Sequence, residues 1–242
     1  MVLDNILPLK RLKEIDEEKQ KLKHIAFDIS EVAFLEKLWK EKGEESTQDI
    51  ISNLDKKNEL IKAILDLQIK NKIPIVTLYV SKKRDKPIFY GKIYDKFNEI
   101  FQFLEEVSTK NGIRVTIVGK WYDVPNSTLD SIRRMIDRTK NNESFFLNMC
   151  INYDGREEII DSCKILAHKA KSGKILPNEI TEENFKENIY ISKFSAPDRI
   201  VVMSKKNKLS SFLLWDSSES RIFFTEKGWN EINPKDVEKY YQ

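Results

Sequence analysis

Cysteine, net charge and long apolar runs are all scarce in this chain, and each shortage excludes a class of protein. The two cysteines, Cys150 and Cys163, are too few for a disulfide framework and lack the spacing of a zinc site. Cys150 lies in an apolar run, where a free thiol behaves as a small hydrophobe. Lys and Arg number 42 against 39 Asp and Glu, a net charge of +3, so the cationic footprint of a nucleic-acid-binding protein is missing. The lysines alternate with acids, as they do on solvated helical faces. No window approaches the run of about 18 apolar residues that a membrane-spanning helix needs. The N-terminus has no apolar segment followed by a small-residue cleavage site. Internal repeats, low-complexity linkers and a clear domain boundary are also lacking. The expectation is a cytoplasmic protein with no nucleic-acid partner.

What is present is enough apolar sequence for a substantial core: 242 residues, 40% hydrophobic and 33% charged. Residues 1–22 read as an N-terminal amphipathic helix, with Leu3, Ile6, Leu7, Leu9, Leu12, Ile15 and Leu22 among charges. Its acids, Glu14, Asp16, Glu17 and Glu18, weaken attraction to anionic lipid. Docking on the domain is therefore the first reading of this helix, and a peripheral membrane contact the second. The rest, 23–242, reads as one domain. Strands are expected at 23–28, 73–80, 112–119 and 145–151, and helical periods at 49–70, 88–111, 129–136 and 159–167. Thr181-Glu182-Glu183-Asn184-Phe185 looks like a further helix start. Strands that are nearly continuous in apolar residues and alternate with helices predict an α/β fold, a central parallel sheet flanked by helices.

The motif-bearing stretch runs from Phe145 to Trp229. It opens with Phe145-Phe146-Leu147-Asn148-Met149-Cys150-Ile151-Asn152-Tyr153-Asp154-Gly155-Arg156, and later holds Lys208-Leu209-Ser210-Ser211-Phe212-Leu213-Leu214-Trp215 and Ile222-Phe223-Phe224-Thr225. In order and spacing these resemble the cis-prenyltransferases, the undecaprenyl diphosphate synthase family, with its L-N-x-x-x-N-Y-G-G-R, R-x-S-N-F-L-L-W and E-L-Y-F-T motifs. Val76-Thr77-Leu78-Tyr79 and His24-Ile25-Ala26 are similar to the family's early strands, and an N-terminal helix before Lys23-His24 looks like its archaeal members. The resemblance implies an undecaprenyl diphosphate synthase-like fold and a place in polyprenyl diphosphate synthesis from isopentenyl diphosphate and an allylic diphosphate.

It also shows what this chain has given up. The family's D-G-N-x-R-W loop, which cradles the allylic diphosphate and carries a magnesium aspartate, is replaced by Asp28-Ile29-Ser30-Glu31-Val32-Ala33-Phe34. A run of this kind offers no glycine-built phosphate cradle, and Asp28 alone reads as a helix N-cap or loop residue. The family's F-S-S-E-N-W-x-R-P becomes the lysine-rich 81–87 segment. Its R-T-S-G-E falls on Val202-Met203-Ser204-Lys205-Lys206, so valine stands where an arginine would grip isopentenyl diphosphate. The metal-binding glutamate falls on Arg221, and Asp154 replaces a glycine where an acid would repel diphosphate.

Lys208, Ser210, Asn152 and Arg156 remain as candidate substrate-binding residues. No catalytic residue or metal ligand is assigned, and magnesium is expected only through a partner subunit or an unrecognised site. The implied role is a catalytically degenerate subunit in a homo- or heterodimer with a family homologue, paired through Phe212–Trp229. In well-known heteromers the silent subunit lends a C-terminal R-x-G to its partner, whereas this chain ends Tyr240-Tyr241-Gln242. The other readings are an active transferase with altered site residues and a module that binds a prenyl diphosphate.

Overall fold

The computed structural model describes residues 21–82 and 90–241. All but the last two residues of the helix expected over 1–22, and most of the 82–86 lysine run, therefore lie outside the described residues. Six parallel strands form one sheet: β1 (His24–Asp28), β2 (Ile75–Tyr79), β3 (Ile113–Val118), β4 (Phe145–Cys150), β5 (Arg199–Val202) and β6 (Arg221–Phe224). Their order is β3-β4-β2-β1-β5-β6. The chain builds outward from β1 on one side, then crosses back to place β5 on the other. Such a reversal opens a crevice at the carboxyl ends of the strands, the usual place for a ligand in an open α/β sheet.

Alternation along the strands divides the core in two. Ile25, Phe27, Val76, Leu78, Val115, Leu147 and Met149 face the helices α2 (Thr47–Asn71), α3 (Tyr90–Asn111) and α4 (Asn126–Thr139). Ala26, Tyr79, Cys150, Ile200 and Val202 face the other way, onto Tyr153, Ile191, Phe212 and Leu213. α2 presents Ile50, Leu54, Ile61, Ile64 and Gln68 to the core at helical spacing and stops at left-handed Lys72. α5 (Gly155–Lys171) is capped by Asp154, and α6 (Glu182–Lys186) begins at a Thr181 capping box, where the sequence predicted a helix start.

Two features depart from expectation. A helix α1 (Ala33–Lys42) follows β1, with Leu35 buried and Phe34 packed against Trp229. Val32 stands at its N-cap position, so Asp28 is no helix cap; it is the last residue of β1, buried at the mouth of the crevice. The second concerns Phe212 and Trp229, the ends of the segment expected to pair with a partner, which are buried within this chain. What that segment turns outward is edge strand β6, with Phe224 43% exposed.

A buried polar row crosses the sheet beneath the apolar layer. His24 Nδ1 lies 2.9 Å from the Ser195 carbonyl and must donate to it, which leaves Nε2 to accept from Thr77 Oγ1 at 2.7 Å. Thr77 Oγ1 in turn accepts from Asn148 Nδ2 at 3.2 Å. Burial is the main reason the His24 pKa falls from 6.5 to about 4, so the ring is neutral at pH 7. The folded state resists protonation that the unfolded chain accepts. This contribution to stability is therefore complete above pH 6.5 and lost as pH falls towards 4. Thermal melts across that range should show a decline that His24→Gln flattens; an unchanged slope in the variant would exclude the histidine as its source.

Candidate functional site

The crevice at the carboxyl ends of β1 and β5 is a pocket of about 380 Å³. At its floor is Asp28. Its Oδ1 accepts from the Ser30 amide at 3.0 Å and the Ser30 hydroxyl at 2.7 Å, while Oδ2 accepts from Ser210 Oγ at 2.8 Å. Burial raises the Asp28 pKa, opposed by these hydrogen bonds and by the charge of Lys57. The other two carboxylates are engaged as well. Glu31 caps Ala33 N through Oε1 at 2.8 Å and meets Lys206 through Oε2 at 3.0 Å. Asp154 accepts from Arg156 N at 2.9 Å and lies 3.9 Å from Lys82. Asp154 is thus a helix cap with a cation beside it, and does not face the pocket as a bare repelling charge.

Of the residues the sequence singled out, Lys208, Ser210 and Arg156 line this pocket together, and Asn152 does not. Asn152 is a buried turn residue in the left-handed region, φ 48°, and its amide donates to Ser81 Oγ at 3.0 Å. Among the described residues Lys208 and Arg156 have no ion-pair partner, so both charges are available to an anion. The Ser210 hydroxyl is committed to Asp28. Val202, where the resemblance places an arginine, is fully buried on the sheet's apolar face. Arg221 opens β6 opposite Arg199 at the start of β5, at the end of the sheet away from the pocket, so within one chain it cannot reach the site.

Sequence reasoning missed Lys57. It lies on α2, buried, with Nζ 2.8 Å from the Val80 carbonyl and 5.0 Å above the Trp229 ring. Burial lowers its pKa from 10.5 to about 7, against the opposing charges of Asp28 and Glu31. Magnesium, which the resemblance implies for an active member, finds no fitting donor set here. Every carboxylate oxygen lining the pocket already faces a donor or a cation, and among the described residues no group of three His, Cys, Asp or Glu side chains is arranged to hold a metal ion.

Comparison with known proteins agrees with the architecture. The Prenyltransf family model, described as an undecaprenyl diphosphate synthase, matches residues 44–242. A tritrans,polycis-undecaprenyl-diphosphate synthase (geranylgeranyl-diphosphate specific) of Picrophilus torridus is 31% identical, over 75% of this chain and 73% of its own. The synthase of the same name from Thermoplasma volcanium is 32% identical, over 73% and 70%. Among solved structures, lavandulyl diphosphate synthase from Lavandula x intermedia, in complex with dimethylallyl diphosphate, superposes with a TM-score of 0.76. It covers 91% of this chain and 95% of that one at 19% identity, a likeness of fold.

One wall of the pocket rests on a close backbone approach. The Gly155 amide donates to the Ser211 carbonyl at 2.8 Å, and a Cβ on Gly155 would stand 2.3 Å from that oxygen. Helix propensity alone would favour alanine by roughly 1 kcal/mol. The clash is with backbone and should override it, so Gly155→Ala is expected to lose about 1–3 kcal/mol. Denaturant melts measure this directly, and a gain in stability would show that the Ser211 turn moves freely.

Proposed function

The chain belongs to the undecaprenyl diphosphate synthase family of cis-prenyltransferases, and we propose that it serves there as a catalytically degenerate subunit that holds an isoprenoid diphosphate head and pairs with an active homologue. The observation that carries this reading is the division of labour in the pocket. Its spare cations, Lys208 and Arg156, suit a diphosphate, while its carboxylates are all engaged and the arginine position is the buried Val202. Prenyl transfer needs the leaving diphosphate's charge neutralised as the carbon–oxygen bond breaks. Losing one such stabiliser reduces the rate by roughly a hundredfold or more. A pocket that binds the group without the full set suits support of a partner better than independent turnover.

Edge strand β6 supports the pairing half of the proposal. It is four residues long, has a strand neighbour on one side only among the described residues, and carries the exposed Phe224 beside half-buried Ile222 and Phe223. An unprotected edge with an apolar side chain is a natural place for another chain. The second reading, an active synthase, draws on the names of the archaeal relatives and their identity of 31–32%.

Labelled isopentenyl diphosphate and farnesyl diphosphate, with magnesium, decide between the readings. Product should form only when a motif-complete homologue is added, and faster than the homologue manages alone. Turnover by the pure protein would establish the second reading instead. Phe224→Asp should abolish co-purification with the homologue and leave the monomer's melting temperature within a few degrees of the parent. Retained co-purification would move the interface elsewhere.

A further inference from the structure

We propose that this pocket holds its diphosphate group without a divalent cation, the buried ammonium of Lys57 and the free cations at the rim supplying the counter-charge. The inference rests on the pocket being a diphosphate site, as proposed above. It follows from the disagreement between the donor set and the metal that the fold's resemblance implies.

Magnesium binds through oxygen in near-octahedral geometry, and in phosphate sites it needs one or two carboxylates besides the phosphate oxygens. On Asp28, Oδ1 already accepts two hydrogen bonds from Ser30, and Oδ2 would have to share its charge between a metal and the Ser210 hydroxyl. Glu31 would have to share with Ala33 N or Lys206, and Asp154 with Arg156 N or Lys82. Each alternative weakens a contact that already holds the pocket wall.

The cationic side is already provided. Lys82, Arg156, Lys206 and Lys208 line the pocket against three carboxylates, so cations are in excess before Lys57 is considered. Lys57 adds a charge of a different kind. Among the described residues it makes no direct ion pair: its hydrogen bond goes to a neutral carbonyl, and the Trp229 face covers another side. The charged groups bearing on it are Asp28 and Glu31, both at the pocket floor. Burial leaves this amine only partly protonated near pH 7, and an anion over Asp28 would favour its ammonium form, which lysine offers to phosphate as a point charge in other sites. In a buried setting the interaction is screened less than at the surface. Trp229 also ties the arrangement to the pocket mouth, because its Nε1 donates to the Glu31 carbonyl at 2.6 Å. An anion entering over Asp28 would therefore meet two cations at the rim and, beneath the floor, an amine poised to hold a proton, with no ligand rearrangement.

The test is calorimetric titration of the full chain with inorganic diphosphate, once with EDTA and once with millimolar magnesium. Affinities in the two arms should agree within about twofold, a difference below roughly 0.5 kcal/mol. Lys208→Ala should bind about tenfold more weakly in both arms. Lys57→Met and Lys57→Gln should each weaken binding by roughly threefold to tenfold while melting cooperatively. The glutamine keeps a donor for the Val80 carbonyl, so a loss shared by both variants reports the charge. Binding about tenfold or more tighter with magnesium would overturn the inference, as would Lys57 variants that bind like the parent. No binding in either arm would remove the diphosphate reading of the pocket itself, and this inference with it.

Discussion

A carboxylate buried at the end of a central strand must be met by donors, and much of this protein's architecture follows from how Asp28 is met. Two donors come from Ser30, two residues on, and the third from Ser210, 182 residues away. Each such hydrogen bond to a charged group contributes about 1.5–3 kcal/mol, and leaving the carboxylate unmatched would be costlier still. Satisfying it draws the segment after β5 across the mouth of β1. That segment brings Lys206 and Lys208 to the rim. The pocket is thus a by-product of solvating one acid from within the protein.

The wall around that contact is built from conformations most residues avoid. Asn152, Asn207 and Leu213 all have φ between 44° and 48°, and Leu213 is a buried, bulky side chain for which this is an outlier. The Phe212 ring beside it stacks on Tyr79 at 5.1 Å, and Tyr79 donates to the Tyr153 carbonyl at 2.9 Å. Packing on both sides holds the strained turn in place, the usual condition under which such strain persists. The same packing accounts for Phe212 and Leu213 without appeal to a partner.

Four of the six strands were legible because they are apolar on both faces and alternate with helices of 3.6-residue period, both local signals; β5 and β6, four residues each, were too short to stand out. The pocket was legible only in part. Lys208, Ser210 and Arg156 belong to short motifs, and the structure brings them together. Asp28 misled because an aspartate after a strand suits a helix cap as well as a strand end, and the hydroxyl that decides the matter lies far along the chain. Lys57 was hidden within Asp55-Lys56-Lys57-Asn58-Glu59, which has the look of a solvated face. Its spacing from Ile50, Leu54, Ile61 and Ile64 places it on the inner stripe of α2, a signal present in the sequence but outweighed by its charge. Asn152 fell to the opposite error, a motif residue whose turn conformation turns it inward.

The link between Asp28 and Ser210 also sets an order of events in time. His24 with Ser195, and Asp28 with Ser210, join residues more than 170 positions apart. Loops of that length close late, since chain entropy opposes them until nearer contacts are made. The strands β1 to β4 and their helices can assemble while the last 45 or so residues are still unplaced, but the pocket cannot exist until β5 docks beside β1. Anything that recognises this pocket therefore recognises a finished molecule. A ligand or partner bound there would act as a proof of complete folding, excluding nascent and truncated chains that already possess most of the sheet.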